Sequence, residues 1–268
     1  MEFHGRHIVV TGAANGIGRA LARRFHAEGA RVVASDREPH GLAAVVEELN
    51  SDRADSAIEF PVDIGTESGN RELVAAAEAA FGPIDLFFAN AGVAIGTDLE
   101  TTEADWELAF DVNVHAHRWA AKYLLPSWLA RGEGYFCATA SAAGLLSQIG
   151  SAPYSVTKHA AVAFAEWMSI TYGARGVRVS CLCPQGVNTN MLNGGIGGDK
   201  GAGDVVRASG AVLEPEAVAD AAVAVIRAET FLILPHPEVL TYFQRKSGDY
   251  DRWLAGMRKL QARVVGAG

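Results

Sequence analysis

The chain has 268 residues, 49% of them hydrophobic, and a formal net charge of -8 with an isoelectric point near 5.5. That length carries one large domain or two small ones with ample apolar content for a core, and the acidic balance without a basic run argues against nucleic acid as a partner. No apolar run approaches the roughly 20 residues that span a bilayer, and the N-terminus enters a strand-like run without a signal-peptide core, so a cytoplasmic protein with no membrane partner is expected.

Seven short β-rich runs alternate with alanine-rich helical stretches: HIVVTG (7–12), ARVVASD (30–36), AIEFPVDI (57–64), IDLFFANAG (84–92), GYFCATAS (134–141), RVSCLCP (178–184) and TFLILPH (230–236). Several are apolar on both faces, which suits a parallel sheet covered on each side by helices. The expected fold is a single doubly wound, Rossmann-like α/β domain with a mainly parallel seven-stranded sheet. Asp36 and Thr66 stand as helix caps, and Gly29, Gly82 and Gly132 fall where helices should stop. Cys137, Cys181 and Cys183 lie in the strand-like runs and read as reduced core thiols.

The first strand runs into Thr11-Gly-Ala-Ala-Asn-Gly-Ile-Gly18, and a helical pattern follows at once. Glycines let the backbone turn sharply and approach a ligand, while amides at a helix N-terminus favour a pyrophosphate. The spacing is GxxxGxG, not the common GxGxxG. Asp36 closes the second strand 18 residues after Gly18, where a carboxylate can grip an adenosine ribose. It would repel a 2′-phosphate by about 4 kcal/mol per charge pair at 4 Å, so NAD is expected over NADP, although Arg37 beside it can partly neutralise a phosphate.

Farther along, His115 and His117 are two apart in a helical segment and diverge, so no metal is assigned. Trp106, Trp119 and Trp128 suit core or subunit packing. Tyr154 and Lys158, in YSVTK, are one helical turn apart and can lean over the same face. A tyrosine of pKa about 10 becomes an efficient base near neutrality only if lowered by about 3 units, roughly 4 kcal/mol. One ammonium about 4 Å away at an effective dielectric near 20 supplies that much, which points to Lys158. Ser141, with a hydroxyl that donates and accepts, can hold an oxygen changing between hydroxyl and carbonyl.

Glycine-dense NGGIGGDKGAG (193–203) reads as a mobile surface loop, part of a flexible substrate loop over about 190–212, with helix-compatible sequence resuming at Glu214. The last stretch, about 238–265, reads as a helical extension carrying Leu240, Phe243, Tyr250, Trp253, Leu254, Met257 and Leu260 at near-helical spacing. It either packs on its own subunit, or covers a neighbour's active site or buries oligomer surface.

With TGAANGIG at the front, NAG at 90–92, Asn113, Ser141, and YSVTK 13 residues after that serine, the chain resembles the short-chain dehydrogenase/reductase family over about its first 190 residues. The resemblance implies hydride transfer between NAD and a secondary alcohol or ketone, with Asn113, Ser141, Tyr154 and Lys158 as the catalytic set. Tyr154 would be the acid/base, Lys158 both its tuner and a clamp on the nicotinamide ribose, and Asn113 the anchor of a water linking Lys158 to solvent. Gly12, Ala14, Asn15, Gly16, Ile17 and Gly18 would line the pyrophosphate, Asp36 and Arg37 the ribose, and Asp63 with Ile64 the adenine. Asn90, Ala91 and Gly92 would border the adenosine ribose, with Pro184, Val187 and Thr189 at the carboxamide end. Gln185 stands where the family usually has glycine, either touching substrate or facing solvent. Leu145, Leu146, Ile149, Met191 and Leu192, with Ser141 and Gln185, would make an apolar substrate lining that suits a lipid or steroid-like alcohol. The family also implies a homodimer or homotetramer. Two rivals are an epimerase or dehydratase on the same cofactor and a non-catalytic cofactor-binding regulator; the latter would be expected to have lost Tyr154 or Lys158.

Overall fold

Alternation of side chains along each strand sends one apolar set to either face of a sheet, and this sequence supplies both sets. In the computed structural model, which describes residues 1–194, 206–207 and 210–264, they become two cores, one on each side of one sheet. The strands are His7–Thr11 (β1), Arg31–Asp36 (β2), Ala57–Pro61 (β3), Leu86–Ala89 (β4), Gly134–Thr139 (β5), Val177–Leu182 (β6), Gly186–Val187 (β7), Val212–Leu213 (β8) and Leu232–Ile233 (β9). The main sheet has seven strands in the order β3-β2-β1-β4-β5-β6-β9, every pair parallel. β7 and β8 pair separately as a short parallel ribbon.

Helices Gly16–Ala27 (α1), Pro39–Asp52 (α2), Glu67–Phe81 (α3), Glu103–Phe110 (α4), Ala116–Arg131 (α5), Ala142–Leu145 (α6), Ala152–Tyr172 (α7) and Pro215–Arg227 (α8) follow the strands. Val9, Val33, Phe87, Phe136 and Cys181 meet Leu73 of α3, Leu124 and Trp128 of α5, and Ala165 and Met168 of α7 on one face. Their strand neighbours Val10, Val32, Phe88, Tyr135 and Leu182 meet Leu21 and Phe25 of α1, Val45 of α2 and Val223 and Ile226 of α8 on the other. Two further helices, Glu238–Gly248 (α9) and Tyr250–Val264 (α10), follow β9. The cysteines are free and buried, with Cys181 and Cys183 Sγ 3.8 Å apart.

Thr66 caps α3 by accepting from the Gly69 amide, and Gly82 and Gly132 occupy the C-caps of α3 and α5. Asp36 does not cap α2. It is still in β2, its carboxylate accepts from the Ala14 and Glu38 amides, and Glu38 takes the cap by accepting from His40 and Gly41. Residues 195–205, within the expected 190–212 loop, and residues 208–209 lie outside the described residues. Among the described residues no helix is long and apolar enough to cross a membrane.

The strand order reverses between β1 and β4, so the helices that follow them leave on opposite faces and open a crevice at the strands' C-terminal ends.

Candidate active site

A cavity of about 940 Å³ fills that crevice. Its floor is the glycine turn. Gly12 and Gly16 have φ of +69° and +53°, and a Cβ on Gly18 would stand 2.0 Å from the Gly12 carbonyl oxygen, so side chains are barred there. Asn15 at the N-cap of α1 makes no side-chain capping bond and the first turn holds no acidic residue, which leaves that helix end suited to an anion. Asp36 is fixed at the rim by amide bonds of 3.0 Å from Ala14 and 3.1 Å from Glu38, with Arg37 exposed beside it. Asp63 and Ile64 lie just past the end of β3 and line the same space, Asp63 accepting from the Gly65 amide at 2.9 Å. These glycines, this bare helix end and this anchored carboxylate fit a nicotinamide dinucleotide.

The strand ends are stitched together across the switch. The Thr11 hydroxyl accepts from the Asn90 and Ala91 amides at 2.9 and 3.0 Å, and the Asn90 side chain donates to the Thr11 carbonyl at 2.9 Å. Its carbonyl end accepts from the Thr139 hydroxyl at 3.2 Å. β1, β4 and β5 therefore share one hydrogen-bonded junction beneath the cavity.

Tyr154 and Lys158 lie on the first turns of α7, which has Pro153 at its second position, and both face the cavity. The Lys158 ammonium stands 5.6 Å from the Tyr154 ring centroid and donates to the Thr139 carbonyl at 3.0 Å. Among the described residues no carboxylate contributes to its electrostatics, and burial pulls its pKa down to about 8. Ser141 lies past β5, at the N-cap of α6; its oxygen accepts from the Ala143 amide at 3.1 Å and its hydroxyl donates to the Pro184 carbonyl at 3.4 Å. It also hydrogen-bonds Tyr154. Burial raises the Tyr154 phenol above its ordinary value, with the Ser141 bond opposing it. In the protein alone loss of hydration dominates the phenol, and the Lys158 ammonium is directed to Thr139.

Asn113 is buried in a single π-helical turn, Asp111–His115, and does not line the cavity. Its side chain pairs with both the amide and the carbonyl of Val93 at 2.9 Å and donates to Thr157 at 3.1 Å. Gly92 lies between it and Lys158, since a Cβ there would come 3.1 Å from the Lys158 Nζ and 3.2 Å from Asn113 Oδ1. Ala14 also lies off the cavity, contributing its amide to Asp36, and Leu145 is buried behind the wall. The other residues expected at the cofactor and substrate sites all line it, from Gly12, Asn15, Gly16, Ile17 and Gly18, through Asn90, Ala91 and Gly92, to Pro184, Gln185, Val187, Thr189, Leu146, Ile149, Met191 and Leu192. His117 is buried edge-on to Phe136, and burial drives its pKa down to about 3. No group of side chains suited to a metal ion occurs among the described residues.

Sequence reasoning missed the cavity's far wall. Tyr242 from α9 and Trp253, Met257 and Leu260 from α10 line this chain's own cavity. The buried Lys246 ties α9 to the body by donating to the Leu145 carbonyl at 2.8 Å. The spacing of Trp253, Met257 and Leu260 marked one helix face, and only the tertiary placement shows what that face meets.

The family model for short chain dehydrogenases matches residues 6–195. The chain is 35% identical over 195 residues to a meso-2,3-butanediol dehydrogenase of Serratia marcescens, covering 72% of this chain and 76% of the relative. A 1-deoxy-11-beta-hydroxypentalenate dehydrogenase of Streptomyces avermitilis is 34% identical over 251 residues, 92% of this chain and 90% of that one. The crystal structure of a short chain dehydrogenase/reductase from Burkholderia phymatum in complex with NAD matches with TM-score 0.85 at 30% identity, covering 94% of this chain and 96% of its own.

Proposed function

The chain belongs to the short chain dehydrogenase family, and we propose that within it this protein moves a hydride between NAD and an apolar secondary alcohol or ketone, with Tyr154 as the acid/base. The observation that carries this reading is convergence: Tyr154, Ser141 and Lys158 line the same cavity as the glycine turn and Asp36. The relatives named for butanediol and hydroxypentalenate are both dehydrogenases, and one similar structure holds NAD, which supports the reaction class and the cofactor.

When bound, the nicotinamide supplies or accepts the hydride. The chain's own residues handle the proton and the oxygen. In the reducing direction the protonated Tyr154 donates its proton to the carbonyl oxygen as that oxygen gains negative charge, and Ser141 donates a hydrogen bond to the same oxygen. The phenolate left behind is stabilised by the nearby Lys158 ammonium. In the oxidising direction the phenolate takes the hydroxyl proton as the hydride leaves. The raised phenol pKa makes the protonated form, ready to reduce, the resting state of the protein alone.

Asp36 favours NAD by facing the 2′ position with a fixed carboxylate. Leu146, Ile149, Met191 and Leu192 on the body and Trp253, Met257 and Leu260 on α10 favour an apolar substrate. A panel of secondary alcohols and ketones, assayed with NAD(H) and NADP(H) at the absorbance of the reduced nicotinamide, tests the reading. Turnover is expected on apolar members with NAD(H); a higher kcat/KM with NADP(H) would reject the reading of Asp36, and no turnover at all would reject the reaction.

A further inference from the structure

His236 is 2% exposed, in the turn between β9 and α9, and packs against the backbone that follows β6. The Gln185 amide lies 3.1 Å from its Nδ1, and its Nε2 lies 3.0 Å from the Gly186 carbonyl oxygen. A backbone N–H can only donate and a carbonyl can only accept, so these partners assign a neutral ring with its proton on Nε2. One imidazole therefore satisfies a donor and an acceptor on consecutive residues, Gln185 and Gly186, where the chain enters β7.

The segment 184–189 joins the two halves of the site. On one side the Pro184 carbonyl accepts from the Ala142 amide at 2.8 Å and from the Ser141 hydroxyl at 3.4 Å. On the other the chain passes through Val187 to Thr189, which abuts the glycine turn, since a Cβ on Gly16 would come 3.1 Å from the Thr189 methyl. Displacement of residues 184–189 would shift Ser141 and the cofactor-facing wall together. Their register to one another depends on how firmly this segment is held, and bonds from His236 hold it at the Pro184 end.

We propose that His236 is a positioning residue for hydride transfer, bracing the 184–189 segment so that the nicotinamide would present a single face to the substrate carbon whose oxygen Ser141 holds. The proposal rests on the hydride-transfer reading above. Misplacement of reacting groups by fractions of an ångström to one ångström lowers kcat without needing to unfold the protein.

The test uses the full chain, a ketone that the wild type reduces, and NADH deuterated on one or the other face of nicotinamide C4. His236→Phe keeps a ring and removes both bonds; kcat is expected to fall about tenfold or more and deuterium transfer to lose its preference for one face. His236→Gln offers an acceptor and a donor again and should restore most of both. A folded His236→Phe protein with wild-type kcat and single-face transfer would overturn the proposal. Should His236→Phe not fold, ring-nitrogen NMR of the wild type reads the bracing directly, independent of turnover. A bare Nδ1 and protonated Nε2 near neutral pH, shifting when NAD is added, are expected, and a proton on Nδ1 would overturn the proposal. A wild type that reduces no ketone yet gives the expected NMR result would count against the hydride-transfer reading and leave the bracing standing.

Discussion

Lys158 and His117 show how burial makes single residues sensitive to pH. The Lys158 pKa drops from 10.5 to about 8 in the folded protein, so between those values the unfolded chain binds the extra proton. Stability conferred by the other interactions is therefore reduced below about pH 8, by about 3 kcal/mol, and this penalty is relieved as pH rises toward 10.5. Lys158→Met should flatten that alkaline rise in denaturant titrations of the cofactor-free protein; an unchanged slope would show that the lysine is not desolvated. His117 acts on the acid side. Its pKa falls from 6.5 to about 3, so as pH drops below 6.5 the unfolded chain takes up a proton that the fold refuses, and stability declines by up to about 1.4 kcal/mol per unit. His117→Leu should remove that contribution to acid sensitivity. At Asp36, substitution by serine removes the charge proposed to select against a 2′-phosphate while Arg37 remains, and the ratio of kcat/KM for NADP to that for NAD should rise at least about tenfold. No change in the ratio would place cofactor choice elsewhere.

At the scale of elements, α10 is the testable wall. Truncation before Tyr250 removes Trp253, Met257 and Leu260 from the cavity, and each apolar side chain contributes roughly 1.5–3 kcal/mol when fully buried. KM for an apolar substrate should rise about tenfold or more while NAD affinity holds; an unchanged KM would mean that α10 does not touch substrate. The elements differ in how far their residues announce them. β1 and β5 are legible because their buried faces leave few polar residues to confuse the pattern, and Thr66 is legible as a cap because its hydroxyl reaches the amide three residues on. β7 and β8, two residues each, have too little length for any periodicity. Asp36 misled as a cap because a carboxylate before a proline-led helix looks alike whether it binds the helix's amides or, as here, those of Ala14 and Glu38, leaving Glu38 for His40 and Gly41. The glycine turn and YSVTK could be read in advance because their chemistry is local. The packing of α10 over the cavity and the direction of the Lys158 ammonium could not, since both depend on contacts between segments far apart in the chain.

For the whole molecule, the telling feature is apolar surface left exposed on α4 and α7. Trp167 and Ile170 on α7 are 51% and 84% exposed, and Leu108 on α4 is 37% exposed. Burying such side chains between copies is favourable, and we propose a homodimer or homotetramer, with a solution mass two or four times 28.3 kDa. Sedimentation of a monomer at micromolar concentration would reject that. The proposed reaction needs cofactor site, oxygen-holding serine and proton donor together, and it turns on Tyr154. The most direct measurement pairs calorimetric NAD binding with turnover of an accepted substrate for the wild type and Tyr154→Phe. NAD affinity is expected to be unchanged with turnover lower by about 10²- to 10⁴-fold; a Tyr154→Phe protein that kept most of its activity would rule out Tyr154 as the acid/base.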